Sequence, residues 1–269
     1  MEISFLSHSF FDIIREEGVR NHDFLLRSSK KVQKWRIGMK NWTKNYKKAI
    51  TFSYDDGVTS DLRLIELLNK YQLKCTFNLN YGLGPTLGGW EYKGKQVNRL
   101  KLREHIASYA GHEIAAHALT HQNLVEIGVE AARKEMTEDA KGLTKLFGSC
   151  PVGMAYPYGT FDDNIVELLR ELGFRYARTV WESCNFDVQK DLLRFRPTCH
   201  HDNERLFELA EEFLTMETEE PKIFYIWGHS YEFEGNENWD RMEQFCRMVS
   251  KREDIFYGTN AEVLLGLCE

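Results

Sequence analysis

The sequence predicts an α/β fold built on a parallel sheet, open or closed into a barrel. Two observations carry this. From Ala49 onward, short apolar runs rich in β-prone residues alternate with stretches patterned at helical period, which is the signature of successive βα units. Polar clusters also fall where the apolar runs stop, at the strand ends where parallel α/β folds carry their sites.

The elements follow in order. AITFSY, from Ala49, reads as the first strand. Ser60 is placed to cap a helix through LRLIELLNKY, with an apolar stripe at Leu64, Leu67, Leu68 and Tyr71. CTFNLN is the second strand. LREHIASYAG predicts a helix whose Gly111 suits a left-handed C-terminal position. HEIAAH is the third strand, and a long helix covers Glu130 to Phe147 and stops at Gly148. VGMAYPYG is a strand running into a turn. DDNIVELLRELG is a helix with acids at its start and Gly173 at its end. FRYART is a strand, ERLFELAEEFL a helix, KIFYIWGH a strand, WDRMEQFCRMVSK a helix, IFYGT a short strand and AEVLLGL the last helix.

Composition bounds the function. The 269 residues are 42% apolar and 28% charged, with a formal net charge of -6 and a pI of about 5.9. That is an ordinary globular composition, without the basic surface that nucleic-acid binding needs. The one basic stretch, Lys30 to Lys48, is interrupted by Trp35, Ile37, Trp42 and Tyr46 and reads as a solvated segment. No run of 18 apolar residues suggests a membrane span. The N-terminus MEISFLSHSFFDIIREEG has no basic start or unbroken apolar core, and the six cysteines form no CxxC. A cytoplasmic protein with reduced thiols is expected. Five prolines and no Gly/Ser-rich linker argue for one catalytic domain, 49–269, preceded by an N-terminal extension, 1–48.

The strand-end clusters are Asp55-Asp56, His117, Tyr158-Gly159 and His229. HALTH places His117 and His121 at i, i+4, a spacing that on a helical turn points both imidazoles to one side. Two histidines and one of the two aspartates would leave coordination positions free for water and substrate, the pattern of a catalytic divalent site. The cation would also relieve the repulsion within Asp55-Asp56, leaving one acid free as a base. His229 fits a proton donor, and the turn at Pro157-Tyr158-Gly159 could present a backbone N–H to an oxyanion.

In order and spacing, TFSYDDG, HALTH, AYPYG and IWGHSYEF resemble the motifs of the NodB-type polysaccharide deacetylases, carbohydrate esterase family 4. The resemblance spans roughly Lys48 to Asn260. It implies a distorted (β/α) barrel of about seven strands and the removal of N- or O-acetyl groups from a saccharide. It implies Asp55 as general base, Asp56, His117 and His121 as metal ligands, His229 as general acid, and the Tyr158 N–H in an oxyanion hole. The implied metal is zinc, with cobalt or nickel as alternatives.

Three departures stand out. Ala155 occupies the place of the family's arginine, with Arg178 or Arg196 as replacements; HALTH lacks the small hydroxyl of HSxxH; and the aspartate motif that orients the acid histidine is not recognisable. RFRPTCHHDN takes its place, where His200, His201 or Asp202 could reach His229 or the metal. Candidates for the carbohydrate cleft are Tyr156, Trp181, Trp227, Tyr231, His200 and Arg178, and the Gly-rich loop around Trp90 could form one wall. The other readings are an amidase acting on a small non-sugar amide and a non-catalytic carbohydrate-binding relative.

Overall fold

The computed structural model describes residues 41–84 and 89–267. Its strands are β1 (Lys48–Asp55), β2 (Cys75–Leu79), β3 (Trp90–Tyr92), β4 (Lys95–Val97), β5 (Glu113–Ala116), β6 (Gly153–Ala155), β7 (Tyr176–Arg178), β8 (Cys199–His200), β9 (Lys222–Gly228) and β10 (Ile255–Tyr257). The α-helices are α1 (Asp61–Lys70), α2 (Leu124–Ile127), α3 (Val129–Phe147), α4 (Asp163–Glu171), α5 (Leu206–Thr215), α6 (Glu232–Gly235), α7 (Trp239–Val249) and α8 (Asn260–Leu264).

β1 is the central strand. All eight of its residues are buried, as expected of a parallel strand covered on both faces. β9 pairs along one side of it. The other side is shared, with β10 against its start and β2 against its end. The sheet runs β7-β6-β5-β2-β1-β9-β8, with every pairing parallel. A lone parallel bridge, Arg178 to Phe195, draws the chain leaving β7 toward β8 without completing a strand. The result is the distorted (β/α) barrel the motifs imply. β3 and β4 form a separate antiparallel hairpin.

Most expected elements are present. The exception is the segment 102–111, which forms two short 3-10 turns, Leu102–Glu104 and Ile106–Tyr109. Only Leu102 and Tyr109 in it are buried, too little apolar surface to hold a full helix. Ser60 adopts helical backbone angles and makes no side-chain cap. Asp61 behind it is buried instead, accepting hydrogen bonds from Tyr109 Oη at 3.1 Å and Ser230 Oγ at 2.5 Å. Glycine ends α3 as expected, with Gly148 in the left-handed region at φ 78°.

The main core lies between the sheet and its helices. A second cluster, including Trp42, Ala49, Ile223 and Leu264, closes the end of the barrel where the strands begin. Trp42 stacks on Phe256 and donates its indole N–H to Val263 O at 2.9 Å. Residues 41–48 are therefore part of the body of the domain. The rest of the expected extension, residues 1–40, lies outside the described residues.

Candidate active site

β1 delivers the two acids, and the backbone then changes course. Asp56 at φ 83° and Gly57 at φ 63° take left-handed conformations in succession, which breaks the strand's alternation and leaves one oxygen of each carboxylate within 4.0 Å of His229 Nε2. An aspartate tolerates that region better than most residues do. The turn is held by the Asp56 N–H on Asn78 O, at 3.1 Å, and by Arg99 Nη1 on the Asp56 carbonyl, at 2.5 Å.

The two side chains then have different partners. Asp55 Oδ1 accepts from Asn78 Nδ2 at 2.8 Å, and Oδ2 is bound by the buried Arg178 guanidinium. Burial pushes the Asp55 carboxyl up. The positive charge of Arg178, with His117 and His229, outweighs burial and holds it below the ordinary carboxylate value. Asp56 Oδ1 instead lies 3.7 Å from His121 Nε2 and 3.4 Å from Arg99 Nη2.

HALTH is a tight loop and not a helical turn. Ala118 at φ 60° and His121 at φ 57° are both left-handed. The loop still brings the two imidazoles to 4.8 Å between ring centroids. His117 is fixed from three sides. Its backbone N–H bonds Leu79 O at 3.0 Å and Asp139 Oδ2 at 3.1 Å. Its Nδ1 lies 2.8 Å from Ala155 O. A carbonyl can only accept, so Nδ1 carries the proton and the Nε2 lone pair is free. Asp139 accepts the Tyr81 N–H with its other oxygen, and burial pushes it up to about 8.

Donor atoms of Asp56, His117 and His121 lie within 4.8 Å of one another. Burial lowers His117 and takes His121 down to about 4, so both imidazoles are neutral at physiological pH, the form that binds metal. Two neutral imidazoles and one carboxylate fit a divalent ion with open positions. The Tyr158 ring packs edge-on against His121, 4.7 Å between centroids. Tyr158 is itself left-handed at φ 57°, and its N–H meets no acceptor among the described residues.

His229 leaves β9 on the far side of the acids. Its Nε2 is 3.9 Å from Asp55 Oδ2 and 4.0 Å from Asp56 Oδ2. Its Nδ1 is 3.2 Å from Glu232 Oε2, a close ion-pair contact without aligned hydrogen-bond geometry. Burial pushes the His229 imidazolium down. Glu232, Asp56 and Asp55 outweigh that and push it up to about 9. Glu232 was not singled out from the sequence. Its signal was an acid three residues after the histidine in HSYEF. Asn78, near the end of β2, and Arg99 and Asp139 carried no such signal in the sequence.

The cleft candidates divide sharply. Trp181 and Tyr158 are exposed, 57% and 65%, and Trp181 rests on Phe161. Tyr231 lies 5.1 Å from the His229 ring and packs against Trp90 and Tyr92 of the β3–β4 hairpin, which walls that side. Tyr156 is in the core, its hydroxyl donating to Leu193 O at 2.8 Å. Trp227 is buried beneath the site with the Arg178 guanidinium 4.4 Å from its ring. Arg178 itself is spent on Asp55, and the His200 Nε2 faces Glu232 at 3.1 Å. Tyr156, Trp227, Arg178 and His200 thus stand behind the cleft and do not line it. Arg196 bonds Glu182 O at 2.9 Å at the surface.

Comparison with known proteins identifies the family. The family described as "Polysaccharide deacetylase" matches residues 43–177, half of the chain. The chain belongs to that family, the NodB-type carbohydrate esterases of family 4. It is 25% identical over 118 residues to a peptidoglycan deacetylase of Helicobacter pylori, covering 44% of this chain and 36% of that protein. It is 26% identical over 148 residues to a chitin deacetylase of Pestalotiopsis sp, covering 54% and 45%. The chain thus spans less than half the length of these curated relatives. The fold matches that of a Mycobacterium smegmatis protein assigned to the polysaccharide deacetylases, with a TM-score of 0.58 at 18% identity over 83% of this chain and 91% of that one.

Proposed function

We propose that this protein is a metal-dependent hydrolase that removes the acetyl group from an acetamido saccharide. One observation carries the reading: the two adjacent acids are electrostatically unlike. Asp56 groups with two neutral imidazoles, Asp55 is tied to the buried Arg178, and a protonated His229 faces both. Relatives named as peptidoglycan and chitin deacetylases support an acetylated sugar as substrate.

Asp56, His117 and His121 would hold the ion. When bound there it supplies Lewis-acid polarisation of the acyl carbonyl and makes water more acidic. Asp55 takes a proton from the attacking water, whose oxygen bonds the carbonyl carbon. The Tyr158 N–H donates to the oxygen that gains the electron pair. His229 Nε2 gives its proton to the leaving nitrogen as the C–N bond breaks, and that bond's electron pair stays on nitrogen. Acetate and a free amine result. The exposed Trp181 is suited to stack on a sugar ring.

The test is acetate release from chitooligosaccharides, peptidoglycan fragments, acetylxylan and small acetamides, alongside elemental analysis. One divalent ion per chain and turnover of an N-acetylated sugar are expected. A metal-free protein indifferent to EDTA would defeat the proposal, and turnover of small acetamides alone would replace the sugar with a small amide.

A further inference from the structure

A second cluster of titratable groups, His200, His201 and Glu232, lies behind His229, with donor atoms within 4.8 Å of one another. Hydrogen bonding decides what it is. His200 Nδ1 accepts the Asp202 N–H at 3.1 Å, so the proton of a neutral His200 sits on Nε2. That Nε2 lies 3.1 Å from Glu232 Oε2, and it faces the carboxylate as a donor. A cation would need the opposite tautomer and would forfeit the Asp202 bond. His201 is buried between the rings of Tyr54 and Phe233 and stays neutral, burial taking it down to about 4. Within the cluster, His200 and Glu232 are therefore set as proton donor and acceptor, while neither ring nitrogen of His201 has a hydrogen-bond partner among the described residues.

Glu232 Oε2 is the hub. It accepts the backbone N–H of His229 at 2.9 Å, lies 3.2 Å from His229 Nδ1, and takes His200 from behind. The loop is anchored on both sides. Ser230 bonds the buried Asp61, and Asp202 accepts from Asn236 and from Asn238, the latter at 2.8 Å. No other carboxylate approaches His229 Nδ1 among the described residues.

We infer that Glu232 is the positioning residue for His229, that His200 acts through Glu232, and that the pair serves departure of the leaving group and no other step. This rests on the deacetylase reading above. The network aims the His229 Nε2 proton at the leaving nitrogen. An amine cannot leave as an anion and needs that proton. A 4-nitrophenolate leaves without one. The two leaving groups thus separate a role in protonation from a role in general structure, which would affect both substrates.

The experiment compares wild type, Glu232→Gln, His200→Gln and the double variant on an N-acetylated chitooligosaccharide and on 4-nitrophenyl acetate. Glu232→Gln is expected to lower kcat on the acetamide by about 10–100-fold with KM within about twofold, as loss of a partner that orients a functional histidine does, and to lower ester turnover by no more than about threefold. His200→Gln is expected to cost about tenfold on the acetamide alone, and the double variant to be no worse than Glu232→Gln, as for residues acting in series. Equal losses on both substrates, or multiplying losses in the double variant, would overturn the inference. So would two metal ions per wild-type chain, one of them lost in Glu232→Gln. Retained ester turnover reports folding directly; should Glu232→Gln not fold, His200→Gln carries the same comparison. Failure of the wild type on both substrates would defeat the deacetylase reading itself, a result distinct from any pattern among variants.

Discussion

Replacing Arg178 tests the whole electrostatic account of the site. Its guanidinium is 1% exposed and bonds Asp55 Oδ2, while Asn78 holds Oδ1. Arg178→Met keeps the bulk against Trp227 but leaves Asp55 buried with only the Asn78 bond. Breaking a buried pair by removing one partner costs about 3–5 kcal/mol. At about 2–4 °C per kcal/mol for a domain of this size, the melting temperature should fall by roughly 6–20 °C. The sign with pH is specific. In the wild type the Asp55 pKa is lowered, so its contribution to stability is present above the ordinary carboxylate range and lost as pH falls through the folded value. In Arg178→Met, burial loses its largest opponent and, with only His117 and His229 against it, raises that pKa above the ordinary value. The contribution then reverses, and stability falls as pH rises above the carboxylate range. Melting curves from pH 4.5 to 8, with pH–rate profiles whose acid limb should move upward, measure both effects. Asp55→Asn added to Arg178→Met should recover most of the lost stability and none of the activity. Ala155 is the register partner of Arg178 across β6 and β7, so Ala155→Arg with Arg178→Ala should restore part of both. An unchanged acid limb and melting temperature in Arg178→Met would refute the reasoning.

Three further outcomes are expected. EDTA should abolish turnover and zinc restore it, while His117→Ala loses the ion and Asp55→Asn keeps it, as elemental analysis would register; an Asp55→Asn protein with full activity would remove the base assignment. His229, held above its ordinary value by Glu232 and the two aspartates against burial, acts in its protonated form, so kcat/KM should fall as pH rises on the alkaline side, and His229→Ala should lack that limb. Trp181→Ala, at a ring 57% exposed, should raise KM for an oligosaccharide about 2–10-fold, the worth of one aromatic contact, and leave 4-nitrophenyl acetate turnover unchanged.

The strands that frame the site were legible because buried parallel strands read as short runs rich in apolar and β-prone residues without helical period, and β1, β2 and β9 are of that kind. The β3–β4 hairpin was not. Its turn places Lys93 and Gly94 at φ 48° and 76°, a geometry usually signalled by Asn-Gly or Asp-Gly, and lysine gives no such signal. The i, i+4 spacing of His117 and His121 predicts that the two rings meet on a helical turn; they do meet, but through left-handed residues in a tight loop. Tyr156 was misplaced because the side chain after a strand end was read as facing the cleft, when it turns into the core.

Two of the three departures from the family pattern show why motif position alone runs short. Sequence left Arg178 and Arg196 as equal stand-ins for the arginine missing at Ala155. Only the pairing of β6 with β7 separates them, by setting Arg178 directly beside Ala155 and Arg196 at the surface. The sequence points to RFRPTCHHDN, on the neighbouring strand β8, for the partner of His229, whereas Glu232 lies against it from three residues away. His200 from that stretch supports Glu232 in turn. In each case the chemistry fixes a charge at a point in space, a cation on Asp55 and an anion on His229 Nδ1. A neighbouring strand or the next turn of chain can supply it as well as the usual position can.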